Sequence, residues 1–163
     1  MRHIISVLLE NEPGALSRVA GLFSARGYNI ESLTVAPTHD STLSRMTIVT
    51  TGDERRIDQI EKHLNKLVDV AALQDITVNR HLEREIVLIK VTVSDDEQAD
   101  FKRVVDVFNA DLMDVVEGHY IVELSGSSEK VDELIKALGR YTIIETVRSG
   151  VTGLALSNRS LVI

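Results

Sequence analysis

RHIISVLLE at residues 2–10, NEPG at 11–14 and ALSRVAGLFSARG at 15–27 decide the fold between them. In the first stretch Ile5, Val7 and Leu9 fall on one face of an extended chain and Ile4 and Leu8 on the other. Apolar residues on both faces predict a strand inside a sheet rather than at its edge. Asn11-Glu12-Pro13-Gly14 breaks that alternation, and from Ala15 the positions Leu16, Val19, Ala20 and Phe23 follow the i, i+3, i+4, i+7 stripe of an amphipathic helix. Arg26-Gly27 supplies a basic last turn and a stop. Working outward, Asn29–Pro37 and Leu43–Thr51 read as strands joined by the turn-forming Thr38-His39-Asp40-Ser41. A helix from about Asp53 carries the stripe Ile57, Ile60, Leu64 and Leu67, and Val68–Val78 can form a fourth strand. The order is β-α-β-β-α-β.

The same order returns in the second half. Strands are expected at Glu85–Val93, Leu112–Val116, His119–Leu124 and Ile143–Arg148, with a hairpin turn at Glu117-Gly118. Helices are expected at about Asp95–Phe108 and Ser127–Leu138, with stripes Phe101, Val104, Val105, Phe108 and Val131, Leu134, Ile135, Leu138. The fold class is therefore α+β, two ferredoxin-like βαββαβ domains in tandem. The boundaries implied are a first domain at 1–78, a polar linker at 79–84 (Asn79-Arg80-His81-Leu82-Glu83-Arg84) and a second domain at 85–163 that includes a C-terminal tail. In this architecture two helices cover one face of each sheet. The other face must then be polar or be covered by another subunit, and strands with apolar residues on both faces favour cover by another subunit.

Composition narrows the function. The 163 residues include no cysteine, which excludes disulfides, thiolate metal sites and a cysteine nucleophile. The formal net charge of -7 opposes nonspecific binding to a phosphate backbone, and 4% aromatic residues leave few platforms for stacking bases, so nucleic acid is not an expected partner. No stretch reaches the roughly 18 apolar residues of a membrane span, and the apolar run at the start is interrupted by Glu10 and Glu12, so no membrane association and a cytoplasmic location are expected.

No catalytic motif stands out: there is no G-x-S-x-G elbow, Walker loop, G-x-G-x-x-G or H-E-x-x-H. His3, His39, His63, His81 and His119 lie far apart without ligand spacing, and no metal site is expected. Asp95-Asp96-Glu97 sits where a helix begins, where carboxylates oppose the positive end of the dipole. Arg148-Ser149-Gly150-Val151-Thr152-Gly153 is glycine-rich but leads into no helical pattern, so it reads as a terminal linker rather than a phosphate loop.

The loop Asn11–Leu16 is different, because it joins a strand end to a helix start through a glycine. First-turn amides at Gly14, Ala15 and Leu16 are donors without an intrahelical acceptor, a nest suited to a carboxylate. Asn11 brings an acceptor and a donor to the same place, enough to meet an ammonium or to cap the helix. From these six residues alone a simple N-cap turn and a ligand nest both stand. Asn29, after Gly27-Tyr28, is a second polar residue that this topology can carry to an edge.

Leu8–Val19 (LLENEPGALSRV) and Gly21–Ala36 (GLFSARGYNIESLTVA), with Leu43-Ser44-Arg45-Met46-Thr47-Ile48 and Gln59-Ile60-Glu61-Lys62 further on, resemble the ACT domain of the regulatory small subunits of acetolactate synthase (acetohydroxyacid synthase). The resemblance runs through residues 1 to about 92 and continues more loosely to Arg148-Ser149-Gly150-Val151. It implies a non-catalytic subunit that joins a large catalytic subunit, raises its activity and confers feedback inhibition by a small aliphatic amino acid, usually valine. It also implies no cofactor in this chain, with thiamine diphosphate, Mg and FAD in the catalytic partner. The first domain would form a homodimer, placing the effector between Asn11, Gly14, Ala15 and Leu16 of one chain and Asn29 and Ile30 of the other. A generic amino-acid-sensing ACT dimer, acting on another enzyme or a transcription factor, is the alternative.

Overall fold

The computed structural model describes residues 1–116, 118–156 and 160–162, with Asp114 described by its backbone alone. The chain divides into two compact units, Met1–Leu82 with the described tail from Val151, and Glu83–Gly150. The first unit runs β1 (Arg2–Glu10), α1 (Ala15–Ala25), β2 (Ser32–Pro37), β3 (Leu43–Thr51), α2 (Glu54–Leu64) and β4 (Val70–Asp75). Its antiparallel sheet has the order β2-β3-β1-β4, so β1 is central, as its two apolar faces predict. Both helices lie on one face, where Ile5, Val7, Leu9, Met46 and Ile48 pack with Val19, Phe23, Ile57, Ile60 and Leu64. Burying an aliphatic side chain this completely stabilises by about 1.5–3 kcal/mol. The Asp53 side chain accepts the Arg56 amide at 2.8 Å and opens α2.

The second unit repeats the plan with β5 (His81–Thr92), α3 (Gln98–Phe108), β6 (Asp111–Val116), β7 (His119–Gly126), α4 (Ser128–Leu138) and β8 (Thr142–Arg148), along the path β6-β7-β5-β8. Val87, Ile89 and Val91 of β5 meet Phe101, Val105, Leu134 and Leu138 in its core. The Ser127 side chain accepts the Lys130 amide and caps α4. Ahead of α3, Asp95 accepts from Gln98 at 2.9 Å and Glu97 from the Ser94 amide at 3.3 Å, so two of the three acids use their oxygens to close a turn. The two central strands correspond residue by residue. Each slips register against its last strand, between Leu8 and Leu9 in one and between Lys90 and Val91 in the other. That irregularity aligns Ile4–Leu9 with Ile86–Val91.

Several boundaries differ from the sequence reading. β2 begins at Ser32 rather than Asn29: the turn after α1 is made at Arg26-Gly27, with Gly27 at φ +66°, and residues 28–30 follow without regular structure. β5 begins at His81, inside the stretch that reads as a linker. At the expected hairpin turn Glu117-Gly118, Gly118 has φ +80°, and Glu117 lies outside the described residues.

The largest correction concerns the tail, which the sequence pattern assigns to the second domain as a terminal linker. It forms β9 (Thr152–Ala155) and belongs with the first unit. Val151 joins Ile4, Val49 and Ile76 in a small buried cluster on the face of the first sheet opposite its helices. The Thr34 hydroxyl donates to the Val151 carbonyl at 2.9 Å, and Leu156 N–H donates to the Arg80 carbonyl at 2.8 Å. A Cβ at Gly153 would stand 2.6 Å from Ile76 Cδ1 and 3.4 Å from Ile4 Cγ2. Glycine is there because the tail's backbone lies directly on the sheet. Part of the first sheet's open face, expected to be covered by another subunit, is thus covered by the chain's own tail.

Candidate functional site

The loop between β1 and α1 is held from its β3 side by Asn11. Asn11 N–H donates to the Thr42 carbonyl at 2.7 Å, its Nδ2 donates to the Ser41 carbonyl at 3.0 Å, and its Oδ1 accepts from Ser44 Oγ at 3.1 Å. Asn11 therefore binds the β2–β3 turn and does not cap α1, which has no side-chain cap. Gly14 occupies the cap position at φ +92°, a backbone that glycine adopts freely and other residues resist. Ala15 N–H donates to the Glu12 carbonyl at 3.3 Å and Arg18 N–H to the Gly14 carbonyl at 2.9 Å. The amides of Leu16 and Ser17 have no acceptor among the described residues, so they are the open donors of the helix start.

Beside these donors lies a cavity of about 250 Å³ lined by Leu9, Asn11, Ala15, Leu16, Val35 and Ala36, with Glu10 and Glu12 also on its wall. Leu16 adds to its aliphatic wall because it does not join the core. Ala15, Val19 and Phe23 face the core, while Leu16, predicted inside, is 42% exposed. The sequence does not signal the pair beneath the loop. Arg18 Nε and Nη2 donate to the two carboxylate oxygens of Asp69, each at 2.5 Å. Arg18's hydrogen bonds hold the Asp69 carboxyl below its ordinary range, and the same bonds raise the already high pKa of Arg18.

Asn29 and Ile30 are elsewhere. They come after the C-terminal end of α1, and the helix's 11 residues span roughly 16 Å at 1.5 Å per residue. Asn29 is exposed and its carbonyl accepts from Thr50 Oγ1 at 2.6 Å, while Ile30 packs against the core below the helices. Within one chain, then, Asn11, Ala15 and Leu16 share a cavity with Gly14 in the loop beside them, and Asn29 and Ile30 do not join it.

The arrangement offers backbone donors for an anion and an aliphatic wall. Among the described residues no group of three or more His, Cys, Asp or Glu is placed to hold a metal ion. No described helix is long and apolar enough to cross a membrane. Residues 5–72 match the AHAS small subunit-like ACT domain, and residues 84–157 match the small subunit of acetolactate synthase. The acetolactate synthase isozyme 3 small subunit of Salmonella typhimurium is 52% identical over 160 residues, 98% of either chain. The chain belongs to the acetolactate synthase small-subunit family. A more distant member, the probable small subunit of Archaeoglobus fulgidus, is 41% identical over 98% of this chain and 99% of its own. The crystal structure of the Thermotoga maritima small subunit superposes with a TM-score of 0.86 at 36% identity, covering 98% of this chain and 99% of that one. The family's two-domain βαββαβ plan is therefore the plan of this chain, with the ACT domain first.

Proposed function

We propose that this chain is the non-catalytic, effector-binding subunit of acetolactate synthase. It joins a thiamine-diphosphate-dependent catalytic subunit, which also carries the Mg and FAD, stimulates it, and makes it sensitive to valine. The observation that carries the effector reading is the pairing of free helix-start amides at Leu16 and Ser17 with the aliphatic cavity of Leu9, Leu16, Val35 and Ala36. A small aliphatic amino acid presents both matching parts: a carboxylate for the amides and a branched side chain for the wall. Asn29 and Ile30 lie a helix length away, so their contribution comes from a second copy across an ACT dimer. A site shared by two chains couples occupancy to the way the chains are arranged. A ligand that prefers one arrangement shifts that equilibrium by its differential affinity, typically about 1–3 kcal/mol.

The test is reconstitution with the cognate catalytic subunit and measurement of acetolactate formation with and without valine. Stimulation by the chain and its reversal by valine are the expected results; absence of both removes the reading. Gly14→Asp should abolish most valine inhibition, for two reasons. It places a carboxylate beside the amides, and it forces a Cβ to within 2.8 Å of Arg18 Nη1 at a left-handed backbone. Inhibition by valine at wild-type concentrations in that variant would count against the loop as the site.

A further inference from the structure

The Arg18–Asp69 pair lies outside both the cavity lining and the apolar core, yet it ties together the strand that enters the loop and the helix that leaves it. The Asp69 side chain is 5% exposed and Arg18 is 48% exposed. Asp69 receives the two guanidinium bonds from α1, and its backbone carbonyl accepts the Glu10 amide at 2.9 Å at the end of β1. One residue in the α2–β4 connection thereby fixes both the strand that enters the loop and the helix that leaves it. Arg18 Nη1, which makes no hydrogen bond among the described residues, stands 2.8 Å from where a Cβ of residue 14 would be. The guanidinium plane closes the space that Gly14 leaves open. On the opposite side the loop is tied by Asn11 to Thr42, Ser41 and Ser44. The loop is thus slung between two anchors, and of the two only the Asp69 anchor bonds α1.

We infer that Arg18, clamped by Asp69, is a positioning residue for the effector site: it holds the Gly14 turn and aims the Leu16 and Ser17 amides into the aliphatic cavity. This rests on the effector reading above. A bidentate guanidinium–carboxylate pair fixes orientation as well as distance, which a single-point ammonium contact does not. A site held to a fraction of an ångström by supporting groups loses affinity when those groups loosen, although they never touch the ligand.

The experiment is calorimetric titration of the full-length protein with L-valine, run well below each variant's unfolding temperature. Wild type, Arg18→Met, Asp69→Asn, the double variant and Arg18→Lys are compared. Each single change is expected to weaken valine by about tenfold, and the double variant by no more than either single, because both changes release the same clamp. Arg18→Lys keeps the charge but loses the fork, so it should remain as weak as Arg18→Met. Asp69→Asn is nearly isosteric and keeps the comparison open if Arg18→Met does not fold. Unchanged affinity in the variants, additive losses in the double variant, or full recovery in Arg18→Lys would overturn the inference while leaving the effector site intact. A wild-type protein that takes up no valine would overturn the effector reading and the inference with it.

Discussion

Ile4 and Ile86 are the same residue at the same place in two copies of one fold. Both sit on the central strand and both point to the face away from the helices. Ile4 is 0% exposed beneath Val151 and Gly153, whereas Ile86 is 46% exposed, as are Leu88 at 40% and Val147 at 52% on the same face. The strands carry equally apolar sequences, so the difference lies in the cover that later chain provides. The first sheet is served by a segment about 75 residues beyond its last strand, and the second has no equivalent among the described residues. A βαββαβ unit buries one face by its own topology; the other face takes its cover from elsewhere. The two units also share a device, a guanidinium closing on a buried carboxylate, Arg18 on Asp69 in one and Arg148 on Glu85 in the other. The first lies beside the β1–α1 loop, while the second ties β5 to β8.

The contrast breaks most visibly at Ile4. Ile4→Ala removes a fully buried side chain from a small cluster with little capacity to collapse, and should destabilise the first unit by about 2–5 kcal/mol in urea unfolding. Amide exchange should rise in β1 and β4 and stay unchanged in α3 and α4. If exchange rises equally in both units, they are not independent in stability and the contrast fails. Gly153→Leu attacks the same contact from the tail. With Ile76 Cδ1 at 2.6 Å from the new Cβ, seating the side chain requires the tail to lift, at a cost of about 1–3 kcal/mol. A drop in stability with loss of exchange protection at Leu156 and Val151 is the expected result. Unaltered protection there would show that the tail does not depend on that close approach.

Most of the two units is legible in the strand and helix periods, because a repeat of two or of 3.6 is written wherever one face is buried. Hence β1, β3, α2 and α4 lie nearly where their periods put them. The tail is not legible, since Gly153-Leu154-Ala155 has no period of its own and is placed by its fit against Ile4 and Ile76 and by hydrogen bonds to Thr34 and Arg80, all distant in sequence. In the site, the glycine turn and the polar Asn11 are visible as local chemistry. That Asn11 holds the β2–β3 turn instead of capping α1 is not, because its partners Ser41 and Ser44 are 30 and more residues away. Asp69 is hidden for the same reason: nothing in its neighbourhood distinguishes a clamp from an ordinary surface acid.

A smaller effect concerns the Arg18–Asp69 pair in acid. Asp69 has its folded pKa depressed, so the stability it contributes is present above its unfolded value near 3.9 and is lost as pH falls through the folded value. Asp69→Asn should therefore flatten the decline in the first unit's unfolding free energy below about pH 4 and leave the profile at neutral pH parallel to wild type. A decline of unchanged steepness would show that other carboxylates dominate the acid limb.

The smallest expected effect is the most informative about the second sheet. Ile86→Ala removes a side chain that is already half in water, so the loss should be about 1 kcal/mol or less, a fraction of that at Ile4. Measured in dilute solution and again with the catalytic subunit present, the value distinguishes an open face from a covered one. A face that stays open gives the same small loss in both. A loss that grows to the size seen at Ile4 would mean that Ile86 is buried in the assembly and that the two sheets differ only in whether their cover is carried on the same chain.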